Sequence, residues 1–275
     1  MSNQSDNNPY AAPQSAVAPV GPTIRDDFGN FIPNGRSVPA GSAASWFGAA
    51  WELFKKSPMM WIFTTILFVL LSFIASIIPF FGWLAGNMLM PFLVGGMMIG
   101  CRTQEEGGDL NIDHLFAGKQ HTGNLVMIGL IYIGFIVLIG IVVTIIAFGV
   151  FGGAALAAAF GSSQNDDVAT AMALGGLGIG AILLFLIILA LSIPLVMAVW
   201  FAPTLVVFNE LKPFEAMKMS FKACLKNILP FFVYGLLYFV LMVLGMIPLL
   251  LGLLIVGPLI LATLYTSYRD IFYAQ

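Results

Sequence analysis

Apolar residues run along this chain in blocks too long and too unbroken for a soluble core. Five stretches contain no Asp, Glu, Lys, Arg or His, and a sixth ends only at Arg269 and Asp270. With a rise of about 1.5 Å per residue, roughly 20 helical residues cross a hydrocarbon core of about 30 Å. The blocks therefore predict six transmembrane helices, over roughly 59–79, 84–100, 125–151, 173–201, 228–247 and 249–267. The third and fourth exceed what a crossing needs, so they tilt, kink or project beyond the lipid, with Pro194 a candidate kink. The fold class is all-α integral membrane.

Between the blocks the pattern changes. From Ala43 to Ser57, Trp46, Phe47, Ala50, Trp51 and Phe54 recur at helical spacing, with Ser45, Glu52, Lys55 and Lys56 on the opposite side. This predicts an interfacial amphipathic helix running into the bilayer. A second such helix, Pro213 to Asn227, carries Lys218, Lys222 and Lys226 at successive i, i+4 positions, read as opposite Phe214, Met217, Phe221 and Leu225. Residues 1–42 hold Pro9, Pro13, Pro19, Pro22, Pro33 and Pro39 and no apolar period. They predict a disordered tail ahead of a membrane domain over 43–275.

The first and last pairs of spans repeat one another. Each is preceded by a basic amphipathic helix, and each first span ends in Ile-Pro, at Ile78-Pro79 and Ile247-Pro248. Each return span carries a proline eleven residues before an arginine, Pro91 before Arg102 and Pro258 before Arg269. The middle pair follows Ile112, Leu115, Phe116 and Lys119 on a short helical pattern. The reading is three parallel copies of an interfacial helix plus a helical hairpin.

Composition narrows the class without adding a function. With 60% hydrophobic and 9% charged residues and a mean hydropathy of +0.98, a soluble domain is excluded. The net charge of -2 matters less than where the charges lie. All 11 Lys and Arg fall in the tail, the 52–56 segment, the 101–123 and 209–227 loops or the C-terminal end, on one side of a six-span threading. The other side holds the Phe80 to Trp83 turn, a 152–172 loop charged only at Asp166 and Asp167, and a turn near Leu249. Since Lys or Arg at a bilayer centre costs about 2.5–3.5 kcal/mol, this asymmetry predicts both termini in the cytoplasm. The first 42 residues lack a basic and apolar signal pattern, so the first span itself is expected to direct insertion. Cys101 and Cys224 lie beside the basic segments, where thiols stay reduced.

Three strings suggest a relationship: Trp51-Glu52-Leu53-Phe54-Lys55-Lys56-Ser57-Pro58, Gly100-Cys101-Arg102 followed by Glu105-Glu106, and His114-Leu115-Phe116-Ala117-Gly118. Together they resemble a family of hypothetical bacterial inner-membrane proteins, over about residues 43 to 270. More distantly, the repeated hairpins look like the membrane domain attached to some glycerophosphodiester phosphodiesterases. The first resemblance implies architecture and a location in the bacterial inner membrane. The second implies no activity, because that enzyme's catalytic barrel has no counterpart in these residues.

Candidate chemistry is sparse. The 101–123 loop gathers Cys101, Glu105, Glu106, Asp109, Asp113, His114 and His121, but the histidine spacing, interrupted by Gly118 and Gly123, suits a solvated loop with a helix start near Asp109 or Asn111 better than a metal site. Lys218, Lys222 and Lys226 are candidates for anionic lipid headgroups, and Arg102 and Arg269 for anchoring helix ends among phosphates. Gly95, Gly96 and Gly100, and Gly175, Gly176, Gly178 and Gly180, form small-residue faces for close helix packing within the bundle or in a dimer. Asn87, joined by Thr144 and Ser192, is the polar group inside a span, and no carboxylate or histidine accompanies it for a proton relay.

No grouping of nucleophile, base and electrophile is present. The expectation is a non-enzymatic membrane protein without a cofactor, binding anionic phospholipid, a protein partner or a second copy, and no nucleic acid. The alternative is a transporter or channel for an uncharged or lipid-like substrate.

Overall fold

A computed structural model describes residues 29–79, 81–160, 166–247 and 250–274; the side chains of residues 150, 151 and 153–177 lie outside the described set. The described chain is built from helices: α1 (Ser42–Lys56), α2 (Pro58–Ile77), α3 (Gly82–Glu105), a 3-10 helix (Ile112–His121), α4 (Thr122–Phe160), α5 (Asp166–Trp200), α6 (Ala202–Asn209), α7 (Pro213–Lys226), α8 (Ile228–Met246) and α9 (Leu253–Phe272). By length and composition, five segments among the described residues could cross a membrane: Pro58–Ile77, Gly82–Glu105, Ile112–Gly149, Gly178–Asn209 and Ile228–Met246. The sixth expected crossing falls in α9, whose C-terminal half carries Tyr265, Ser267, Tyr268, Arg269 and Asp270 and so dilutes the apolar signal.

The spans leave their apolar side chains facing outward, as a lipid-embedded surface does. Phe63, Phe73, Ile145, Phe148, Phe185 and Phe239 are all largely exposed. The buried core lies instead toward one end, where Trp46, Trp61, Phe201, Tyr265, Tyr268 and Phe272 are almost wholly enclosed. Consecutive long helices pack side by side, α2 on α3, α4 on α5 and α8 on α9.

Local chemistry sets the breaks. Ser57, with φ -152° and ψ 70°, separates α1 from α2, and Pro58 opens the next helix, where its missing amide costs nothing. Gln104 ties this corner: its amide donates to Ser57 Oγ at 2.6 Å, and its Oε1 accepts from Trp61 Nε1 at 2.9 Å. At the end of α2, Ile78 adopts the extended conformation expected of a residue before proline. The matching Pro248 lies outside the described residues, as does Phe80 in the first turn.

Four expectations are corrected. The 152–172 loop is largely helical, α4 reaching Phe160 and α5 starting at Asp166; Ala154, Ala155, Ala157, Ala158 and Ala159 are strong helix formers whose propensity extends α4 beyond the apolar run. The tail does not run to residue 42 as disordered chain. Residues 29–41 dock as a strap on the far end of α9, with Ile32 N–H donating to Phe272 O and Arg36 N–H to Ile271 O, both at 2.8 Å; residues 1–28 lie outside the described set. The apolar face of α1 packs mostly on protein rather than lying open: Trp46, Ala50, Leu53 and Phe54 are buried, with α8 and α9 among the helices packed on α1, while Trp51 stays exposed. Finally, α6 was not anticipated. Its residues from Ala202 to Phe208 are all buried, and an apolar run that follows a span directly cannot be told from its tail by hydropathy.

Candidate functional site

Several cationic segments meet at the same end of the bundle. Asp270 near the end of α9 accepts from Arg36 Nη2 at 2.5 Å and from Trp46 Nε1 at 2.8 Å, joining strap, α1 and α9. Arg36 Nε also donates to Asp270 O at 2.7 Å. Asn227, between α7 and α8, accepts from Val38 N–H at 2.8 Å and donates to Arg36 O at 2.8 Å. Lys56 donates to Gln104 O at 2.5 Å, which brings the ends of α1 and α3 together. The local sequence carries one mark of this clamp, the acidic Asp270 beside Arg269 at the end of a span; its partners Arg36 and Trp46 are too distant along the chain to be read from it.

The five candidate lipid ligands separate into two groups. Arg102 lies over the Phe208 ring, 5.7 Å from its centroid, and its Nε donates to Glu106 at 2.7 Å. Arg269 pairs with Glu105, which also accepts from Tyr265 Oη at 2.5 Å. Both guanidinium groups are thus engaged by carboxylates within the protein. Lys226 donates to Gly35 O in the strap at 2.9 Å. Lys218 and Lys222 are exposed, with no ion-pair partner among the described residues.

The setting of these two lysines differs from the expected two-sided helix. Pro213 opens α7, and Glu215 in the first turn and Lys226 in the last complement the helix dipole. The buried face consists of Ala216, Met217, Ser220, Ala223 and Cys224, all but Met217 small, which suits close approach to α5 and α6. Ser220 Oγ accepts from Phe201 N–H at 2.9 Å and donates to Met197 O at 2.7 Å, which satisfies backbone groups at the break between α5 and α6. The outward apolar side chains Phe214 and Leu225 are exposed. They lie beside the lysine row, because positions four apart differ by only about 40° around a helix of 3.6 residues per turn. The apolar edge and the ammonium groups therefore share one outward side.

That side opens on a groove of about 520 Å³ between α4, α5 and α7. Phe135, Leu138, Leu191, Pro194, Phe214 and Phe221 are among its walls, and Lys218 is its one charged lining residue. Pro194 lies inside α5, where its ring lacks the amide of a regular turn.

The 101–123 segment is exposed at Glu105, Glu106, Asp109 and Asp113, and a helix starts after Asn111, as expected, but some of its apolar side chains are packed. His114 Nδ1 accepts from Asn111 N–H at 2.9 Å, closing a capping box at the start of the 3-10 helix. Leu110 and Leu115 are buried, and Gly96 and Gly100 of α3 leave room for them, since a Cβ at Gly96 would strike the carbonyls of His114 and Leu115. Among the described residues, no group of three or more ligating side chains could hold a metal. The α3 glycines therefore pack within the chain; in α5, Gly178 faces open space, and Gly175 and Gly176 fall outside the described side chains.

Cys101 and Cys224 are buried free thiols, and burial pushes the Cys224 thiol up to about 12. Asn87 donates back to Trp83 O at 2.7 Å and lines a mostly apolar cavity of about 370 Å³.

Helix length, outward apolar surface and a collected cationic end define a helical, multi-pass membrane protein. Over 206 residues, 74% of this chain and 74% of the relative, it is 30% identical to a probable inner membrane protein of Burkholderia thailandensis, and the chain belongs to this family of bacterial inner-membrane proteins. No family model and no solved structure matches it. The match carries the bacterial inner-membrane likeness and does not extend to the domain attached to phosphodiesterases.

Proposed function

We propose that the chain crosses the bacterial inner membrane six times, as three hairpins with both ends in the cytoplasm, and holds anionic phospholipid at the α7 groove without catalysing a reaction. Parity supports the count. Phe31 and Tyr273 form a backbone bridge, so the described chain begins and ends on one side. This favours an even number of crossings, and the five candidate spans reach six when α9 also crosses.

The observation that carries the lipid reading is the conjunction in α7: an apolar groove of about 520 Å³ with Lys218 at its rim, and Lys222 one turn further along the same exposed side. An acyl chain fits the groove, and a phosphate fits two ammonium groups, each worth roughly 1 kcal/mol near an anionic surface. Native mass spectrometry of the protein purified with phosphatidylglycerol tests it. The expected result is retained lipid, lost when Lys218→Gln and Lys222→Gln are combined; equal retention by that variant would overturn the reading.

A second reading, passage of an uncharged or lipid-like substrate, draws on the cavity beside Asn87. It requires flux of a fluorescent neutral lipid across proteoliposomes above the protein-free rate, and equal rates would dismiss it.

A further inference from the structure

The cavity of about 370 Å³ among α3, α4, α5, α6 and α9 shares no lining residue with the lysine groove. It is built where Pro91 interrupts α3 and where α5 gives way to α6, which Pro203 helps to open. Pro91 in α3 and Pro203 in α6 both line it, as do Asn87 and Val199, the residues four positions before each. A proline has no amide to donate, so the carbonyl of Asn87 lacks its usual helical donor, and the carbonyl of Val199 falls at the end of α5, past which no helical donor follows. Irregular backbone at membrane depth is tolerated where it is enclosed by protein or lines a cavity.

Three polar side chains also line the cavity: Asn87, Tyr132 and Trp200. Asn87 uses its amide nitrogen on Trp83 O, which leaves its side-chain oxygen as the acceptor. Trp200 is fixed by edge-on contacts with Phe231 and Tyr234, with centroids 6.0 and 5.9 Å away. Its indole Nε1 is buried and has no hydrogen-bond partner. A buried donor without an acceptor calls for an explanation, and a bound oxygen supplies one. The rest of the lining, including Met90, Val94 and Leu261, is apolar, and no charged residue contributes. The volume falls at the small end of ligand sites, which span about 300–1,000 Å³. One acyl chain suits it better than a whole two-chain lipid.

We infer that this cavity binds an uncharged single-chain lipid, with an ester or hydroxyl oxygen accepting from Trp200 Nε1 and the chain lying along Met90, Val94 and Leu261. The lysines of α7 take no part. The inference is independent of the phosphatidylglycerol site, and each can fail without the other.

A monoacylglycerol with a diazirine in its chain tests it, added to the protein in phosphatidylcholine nanodiscs, crosslinked by light and mapped by peptide mass spectrometry. The same-chain lysophosphatidylglycerol is the charged comparator. Saturable labelling within 87–94 and 196–203 by the neutral probe, stronger than by the comparator, is expected. Trp200→Phe should weaken half-saturation about tenfold, as loss of one hydrogen bond of about 1.4 kcal/mol would. Val196→Phe, which narrows the cavity from its exposed side, should abolish saturable labelling and serves as the readout if Trp200→Phe misfolds. Combined Lys218→Gln and Lys222→Gln should leave labelling unchanged. Labelling spread evenly over the lipid-facing surface, equal labelling by the two probes, or saturation untouched by Val196→Phe would each overturn the inference.

Discussion

Asp270 links three parts of the chain through one carboxylate, receiving Arg36 from the strap and Trp46 from α1. The Arg36 side chain is 36% exposed and Asp270 13%, so solvent screens part of the attraction, and the desolvated Trp46 bond carries more weight. Asp270→Ala should lower stability by about 1–3 kcal/mol, the range for stranding buried hydrogen-bonding groups. Thermal unfolding in detergent measures it, and an unchanged midpoint would contradict the role assigned to the clamp. Gly35 makes the strap's approach possible: its φ is +66°, and an added Cβ would sit 2.7 Å from Ile271 Cγ2. Gly35→Val should release the strap, read as new protease cleavage within 29–41; protection equal to the parent would argue against it. Cys224 supplies a pH test. Its thiol is pushed up to about 12 by burial, and the thiolate is the reactive form. Alkylation in the folded protein should stay slow from neutral pH to about pH 10 and become rapid only on unfolding; fast labelling at pH 8 in the folded state would contradict the burial.

Each interfacial element was legible as amphipathic, but its facing was not. In α1 the spacing of Trp46, Ala50 and Phe54 identified one apolar face, and the structure packs it mostly on protein, with α8 and α9 among its neighbours. Periodicity reports that a face is shielded from water, not whether protein or lipid shields it. In α7 the small residues Ala216, Ser220 and Ala223 form the buried face, and the eye is drawn to Phe214 and Leu225, which are exposed. The lysines of the candidate site were thus identified, while the groove beside them depends on α4 and α5, far away in sequence, and left no local mark. Glycines of α3 and α4 offer contrasting substitutions. Gly96→Val would press against the backbone of the 3-10 helix and should cost about 1–3 kcal/mol, as overpacking does. Gly140, with nothing within 4 Å of an added Cβ, should accept Ala with no loss or a gain of about 0.4–1 kcal/mol. Equal effects of the two on thermal unfolding would refute the packing assigned to α3.

For the whole molecule, charge asymmetry and tertiary structure converge on one arrangement. The sequence collected cations on one side of an inferred threading. Independently, contacts between the strap, α1, α3, α7 and α9 draw Arg36, Lys56, Lys226 and Arg269 to one end of the bundle. The mostly uncharged surface of the spans suits hydrocarbon, and the aromatic core at the cationic end replaces the interior that spans facing lipid do not provide. Hydropathy could not reveal that core, because Phe201, Val206 and Phe208 look the same whether they meet protein or acyl chains. Sidedness underlies the proposed crossings and lipid site alike, and labelling introduced cysteines in intact cells with a membrane-impermeant maleimide measures it. Ser163→Cys, between α4 and α5, should react from outside, whereas Ala274→Cys should react only after the membrane is opened; the reverse pattern would contradict the arrangement proposed for this protein.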